Sequence, residues 1–404
     1  MSYDIDWVRS RFPGLSGDFT MFENAGGTVP VDAVVERACG YLRGDMVQLG
    51  ADYPRSLRAT ERVSAGLAAA AALVHADAAE VALAASSSAC LYVLSHAVAP
   101  TIAPGDEVVV SAIDHEANRG AWIRMAESRG ATVRDWEVDA ETHELTVAGL
   151  EAVLSERTRL VCFTHCSNVV GSIHDAKALV ARAHEAGARA VVDGVAYAPH
   201  RSVHVNEVGA DAYVLSLYKV YGPHLGLLHV KPAWKSELAN QNHGFLAGSG
   251  MYELMPGYVP HELCASVPGI TDYLEALDRH HGGEGSVRAA FTRIAAHEER
   301  LAERLLGYLR EVPRVRLRGC VSGDRDKRVP TVTFTVDGQP SRAVATALCE
   351  RNVAVRFGNF YARRGMTELT VEDPEDGVVR ASLVHYNTVE EVDRCISELR
   401  RVIG

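Results

Sequence analysis

The chain has 404 residues, enough for two to three domains with cores of their own, and a composition of 47% apolar and 23% charged residues, that of a compact globular protein. A net charge of −11 gives no cationic field for a phosphate backbone or an anionic leaflet, so nucleic acid and membrane partners are not expected. The longest apolar run, Ala65 to Val74, is half a membrane span and reads as a helix.

The N-terminus carries charges from Asp4 onward and lacks an apolar signal core. Eight cysteines are scattered without a CxxC pair, which points to reduced thiols in a cytoplasmic protein and to no metal site. Between about residues 80 and 231, β-rich runs alternate with helical or turn segments: Glu80 to Ala85, Glu107 to Ile113, Thr132 to Val138, Arg159 to Thr164, Arg189 to Gly194, Asp211 to Ser216 and Gly226 to Lys231. The alternation predicts an α/β domain on a mostly parallel sheet. Its clearest crossover helix has Asp175 as N-cap, Ala176, Leu179, Val180 and Ala183 on one stripe, and Gly187 at its end.

Asn240 to Pro268, rich in Gly, Pro, His and Tyr, is irregular and carries the expected domain boundary. Beyond it the pattern predicts a long helix through Phe291, Ile294, Leu301 and Leu305, a strand at Thr331 to Val336 and a helix-strand pair ending at Arg356. A strand at Val378 to Val384 then leads into a last helix, opened by Thr388 and Glu391 in capping-box spacing. This is an α+β C-terminal domain.

In an open α/β sheet, ligands bind beyond the carboxyl ends of the strands. Three successive strands end in reactive side chains: Asn168, Asp193 and Lys219 follow one another at about one βα unit each. The chain has only five lysines among its 41 basic residues, and Lys219 alone directly follows a strand of buried type. A lysine leaving a sheet ordinarily reaches solvent. A desolvated one is a natural Schiff-base former, and an aspartate on the neighbouring strand end suits the pyridinium nitrogen of pyridoxal phosphate. Ser86 to Ser88, opening a helix, offer hydroxyls and amides for a phosphate, or serve as a plain cap. His115 is placed to lie on an aromatic cofactor ring, or is a surface histidine. No GxGxxG follows the first strand, which argues against a nicotinamide dehydrogenase.

These segments resemble the class V aminotransferase family of pyridoxal phosphate enzymes, and within it the cysteine desulfurases. The resemblance runs through FENAGGTVP, DHEAN, THCSNVVG, VVDGVAYAPH, SLYKVYGPHLGLLHVK and VRASLVHYNTVEEVD, nearly the whole chain. It implies the aspartate-aminotransferase-like fold (fold type I), with a mostly parallel seven-stranded sheet in the large domain. Residues 1–20 would form a segment packing on the small domain, 21–268 the large cofactor domain and 269–404 the small α+β domain. A homodimer with active sites at the subunit interface is implied, with an amino acid as substrate. Residue by residue, Lys219 would hold the cofactor as a Schiff base, Asp193 would pair with its pyridine nitrogen and His115 would stack on its ring. Ser86, Ser87, Ser216 and Tyr218 would hold the phosphate, with Ser266 reaching the partner's site. Asn168 would sit near the cofactor's phenolic oxygen or the substrate, and Arg380 would bind the substrate carboxylate, with Asn24, Arg356 and Tyr361 beside it.

The chain departs from the desulfurases at informative places. VRFGNFYARR carries Tyr361 where the resemblance places the sulfur-accepting cysteine, Ala196 stands for a glutamine, Tyr218 for the histidine before the lysine, and Val267 for a hydroxyl residue. The reading favoured is a carbon-sulfur β-lyase: with a thiol leaving from the β-carbon, elimination gives ammonia and a keto acid and needs no catalytic cysteine. Transamination, epimerisation and decarboxylation start from the same complex and are the alternatives.

Overall fold

The computed structural model describes residues 3–15 and 17–404. A two-residue strand, β1 (Thr20–Met21), precedes the main sheet. That sheet contains β2 (Val81–Ala84), β3 (Glu107–Ser111), β4 (Thr132–Trp136), β5 (Thr158–Thr164), β6 (Arg189–Asp193), β7 (Ala212–Ser216) and β8 (Gly226–Val230), in the spatial order β2-β8-β7-β6-β5-β3-β4. Every expected strand is present. β8 runs antiparallel to both β2 and β7, and the remaining pairs are parallel. β3, β6, β7 and β8 are buried or nearly so along their whole length, which is why they read as continuous apolar runs rather than alternating ones.

The crossover helix Ala176–Glu185 forms as its pattern predicts. Asp175 accepts from the Ala178 N–H at 3.1 Å, and Leu179, Val180 and Ala183 are buried. At the other edge Gly226 permits a close approach, since a Cβ there would stand 2.2 Å from the Ser86 carbonyl carbon. The missing side chain lets the Ser86–Ser87 backbone, at the head of helix Ser87–Val98, sit against the sheet.

The second sheet has β9 (Val315–Arg318), β10 (Thr331–Val336), β12 (Arg356–Gly358) and β13 (Val378–Ser382) in the order β12-β13-β10-β9, all antiparallel. β11 (Val353–Ala354) pairs instead with β1, in parallel. Arg356 was expected to close a strand and in fact opens one, because the chain leaves β1 after Ala354 and turns to pair Arg356 with Arg380. Helix Val389–Ile403 opens with the expected capping box between Thr388 and Glu391.

Two apolar cores result, joined along the helix Val287–Arg310: Phe291 and Ile294 lie in the first, Leu301, Leu305 and Leu309 in the second. Helix Pro268–His280 buries Ile270, Leu274 and Leu277 in the first core. The division into 21–268 and 269–404 therefore stands as a proposal about organisation, with packing continuous across it. The N-terminal segment lies over the junction. Phe12 packs against Tyr273 and Tyr386, Tyr3 stacks on His297 at 4.5 Å, and Arg9 pairs with Glu391 at 3.0 Å.

Candidate active site

The strand register sets the site. Thr164 of β5 is level with Asp193 of β6, Asp193 with Val214 of β7, and Ser216 of β7 with Gly226 of β8. The carboxyl ends of three parallel strands thus share one rim, and a single turn, Leu217–Lys219, carries the lysine back over it. A cavity opens there, with Lys219, Asp193, His115 and Asn168 in its wall. Ser87, Ser88 and Tyr218 line one side, Val195 and Ala196 another.

The electrostatics follow from burial. The Lys219 ammonium is pushed down to about 8, chiefly by desolvation and then by Arg380, with Asp193 opposing. Desolvation raises Asp193 to about 6 against the Val195 N–H, which donates to it at 2.8 Å, and against the charge of Lys219. His115 caps the helix Glu116–Arg129: its Nδ1 accepts from the Ala117 N–H at 3.1 Å, so in the neutral ring the proton sits on Nε2. Burial first, then Lys219 and Arg380, hold this ring near 4, and it is uncharged at neutral pH.

Other expected residues lie around the cavity rather than in its wall. Ser216 donates to Ser87 at 2.9 Å and so holds a wall residue. The Ser86 hydroxyl caps the helix, accepting from the Ala89 N–H at 3.1 Å, and the Ser266 hydroxyl donates to the Leu263 carbonyl at 2.7 Å. Arg380 is buried and donates from Nη1 to the Asn168 carbonyl at 2.8 Å, while Asn168 donates to the Phe360 carbonyl at 3.0 Å. Arg356 is exposed and paired with Glu23 at 2.8 Å. Tyr361 stands outside, its ring 5.3 Å from that of His115. Asn24, expected beside the substrate, lies outside the cavity wall. Its amide donates to the carbonyls of Met21 and Ser382, both at 2.9 Å, and to Asn387, and it accepts from Tyr386, so it is committed to holding β1 against β13.

Several residues in or beside the cavity wall escaped the sequence reading, among them Ala117 and Val195. Thr164 and Cys166 line the floor, where Thr164 donates to the Cys166 carbonyl at 2.7 Å. Thr164 ends β5 and Cys166 lies two residues beyond it, on the segment running into Asn168 that the sequence already marked as a strand end. Asp114, next to His115, is fully buried, accepts from Ser111 at 2.5 Å, and has its other oxygen unpartnered. Desolvation and the nearby Asp193 raise it to about 8, so it is a neutral acid at pH 7.

Residues 20–395 match the sequence model of the aminotransferase class-V family. The chain belongs to the class V aminotransferase family. It is 38% identical over 410 residues to the aminotransferase-like protein FGM3 of Gibberella zeae, covering 100% of this chain and 99% of that one. It is 33% identical over 410 residues to the cysteine desulfurase-like protein ustD of Aspergillus flavus, covering 99% and 91% of the two chains. The apo structure of a cysteine desulfurase from Thermococcus onnurineus superposes with a TM-score of 0.87 at 23% identity over 98% of each chain, which establishes the fold. As a class V member, the protein is a pyridoxal-phosphate-dependent enzyme of cysteine desulfurase-like type.

The side chains at the site suit that cofactor. A buried amine of lowered basicity faces a buried carboxyl across the cavity, an uncharged imidazole stands in the wall, and two serines open a helix of 12 residues whose N-terminus favours an anion. The buried Nε of Arg380 has no partner, which leaves it free for a substrate carboxylate.

Proposed function

We propose that the protein is a carbon-sulfur β-lyase acting on a cysteine derivative. The observation that carries the reading is the state of the thiols. Cys166 is the one cysteine among the described residues of the cavity wall; it is fully buried, and burial pushes its thiol up to about 12. The loop position where the resemblance looks for a nucleophilic cysteine holds Tyr361, 71% exposed. Elimination expels sulfur as a free thiol and asks for no protein thiolate.

When bound, pyridoxal phosphate supplies the electron sink for bonds breaking at the α-carbon. Lys219 would hold the cofactor and, as a free amine, would take the substrate's α-proton, a task suited to an amine of pKa near 8. Asp193 keeps a proton on the pyridine nitrogen, and His115 offers a flat, uncharged face. Ser87, Ser216, Tyr218 and the amides heading helix Ser87–Val98 hold the phosphate. Arg380 receives the substrate carboxylate, with Asn168 beside it. A homodimer belongs to the reading, supported by exposed Leu42 and Leu57 in the helices Asp32–Gly44 and Pro54–Leu73 and exposed Met46 in the loop between them.

Cysteine itself tests the reading. Elimination yields pyruvate, ammonia and sulfide in equal amounts, whereas sulfur transfer to the protein yields alanine. Alanine as the amino-acid product would sink the proposal.

A further inference from the structure

A strap from the second sheet crosses to the first beside the cavity. Just beyond β12, Phe360 and Tyr361 hold consecutive positive φ angles of +52° and +58°, a left-handed backbone that residues with side chains adopt only under constraint. The constraint is visible: Asn168 donates to the Phe360 carbonyl at 3.0 Å, and the Glu116 N–H donates to the Tyr361 carbonyl at 2.7 Å. Both anchors belong to segments that line or adjoin the cavity.

Held this way, the Phe360 ring lies over Arg380, whose guanidinium carbon is 3.6 Å from the ring centroid. Arg380 is 3% exposed, and its one hydrogen bond among the described residues runs from Nη1 to the Asn168 carbonyl. It forms no ion pair among them, and a buried cation without a counter-charge is costly. The negative face of the Phe360 ring supplies the missing compensation. The ring takes a face of the guanidinium and Asn168 takes Nη1, while Nε is buried and has no partner among the described residues, a donor left unsatisfied in the plane. A carboxylate is received in that plane, through parallel N–H···O bonds.

We propose that Phe360 is a positioning residue for the substrate carboxylate. Its ring, set by the strained strap, fixes the plane of the Arg380 guanidinium and excludes water from it, so that the site selects ligands bearing a carboxylate. The inference rests on the reading of Arg380 as the carboxylate receptor.

The test uses the holoenzyme and two fragments of S-methylcysteine: 3-(methylthio)propionate, which lacks the amine, and 2-(methylthio)ethylamine, which lacks the carboxylate. Dissociation constants are measured by calorimetry for the wild type, Phe360→Leu, Phe360→Tyr and Arg380→Lys. Loss of the ring in Phe360→Leu weakens the acid about 3- to 30-fold, the worth of a desolvated cation–π contact, and leaves the amine unchanged. Phe360→Tyr keeps the acid within about threefold of wild type by retaining the ring. In turnover, Phe360→Leu raises KM with kcat held. An unchanged Kd for the acid, or an equal loss for both fragments, would overturn the proposal. Phe360→Met, also without a ring, replaces the leucine variant if that one does not fold. If Arg380→Lys leaves the acid unaffected, the receptor reading fails instead; if Arg380→Lys weakens the acid and the ring-less variants do not, Phe360 alone is wrongly assigned.

Discussion

Lys219 and Asp193 face one cavity from the ends of neighbouring strands, and burial moves the two groups toward each other: the ammonium down to about 8, the carboxyl up to about 6. Each charge moderates the shift of the other. The pair is thereby held close to neutrality in its titration behaviour, where one group can give up a proton and the other hold a cation at physiological pH.

The acid limb of activity follows from Asp193. Its carboxylate is the form that partners a protonated ring nitrogen, so kcat/KM rises as pH increases through about 6. His115, held near 4, stays neutral across this window and adds no second step. Asp193→Asn removes the limb and lowers kcat roughly 10²- to 10³-fold, as for loss of a preorganised electrostatic partner. A pH–rate profile of both proteins checks this.

Asp114 makes a prediction about stability. Its folded pKa, about 8, lies above the unfolded value, so its stabilising contribution is complete below about 4 and is lost as pH rises through about 8. Asp114→Asn retains an acceptor for Ser111 and cannot ionise. Its melting temperature relative to wild type should therefore climb between pH 5 and pH 8.5, by about 2 °C or more. A constant difference between the two proteins would contradict the assignment.

Asn24 separates scaffold from site. Asn24→Ala removes the amide's bonds to the Met21 and Ser382 carbonyls and to Asn387, and takes away the acceptor of the buried Tyr386 hydroxyl. Denaturant unfolding should show a loss of about 2–4 kcal/mol. KM measured on folded enzyme should stay near wild type, because the amide touches no wall residue of the cavity.

Thiol chemistry offers a direct check on the absence of a thiolate mechanism. Cys349 is exposed, and Cys166 is fully buried with its thiol near 12. Iodoacetamide should label Cys349 on the native holoenzyme first, and turnover should be unaffected. Inactivation in step with labelling of any cysteine would speak for a nucleophilic thiol.

Much of this arrangement was legible in the residues. The central strands stood out because strands buried on both faces are unbroken apolar runs, and Lys219 stood out because lysines are so scarce. What stayed hidden depends on which of its partners a polar side chain takes. Asn24 has the chemistry of a ligand-binding residue, yet hydrogen bonds within the protein engage both ends of its amide, and only three-dimensional register reveals that. The turn at Ala354 and the strap at Phe360 were equally unreadable, since the first is set by pairing with distant strands and the second by hydrogen bonds to Asn168 and Glu116, rather than by local propensity. Asp114 is a lesson in the opposite sense. Its position beside His115 was in view, but an aspartate in a loop ordinarily reaches water, and burial alone makes it a neutral acid.

The central claim is tested most directly by a product balance with S-substituted cysteines on the yellow holoenzyme, following thiol, keto acid, ammonia and the cofactor spectrum together, with Lys219→Ala as control. The account predicts thiol, keto acid and ammonia in equal amounts, the original absorption band restored after turnover, and neither band nor products in the variant. Keto acid without ammonia, with the amino group retained on the cofactor, would make the enzyme an aminotransferase and contradict the lyase assignment.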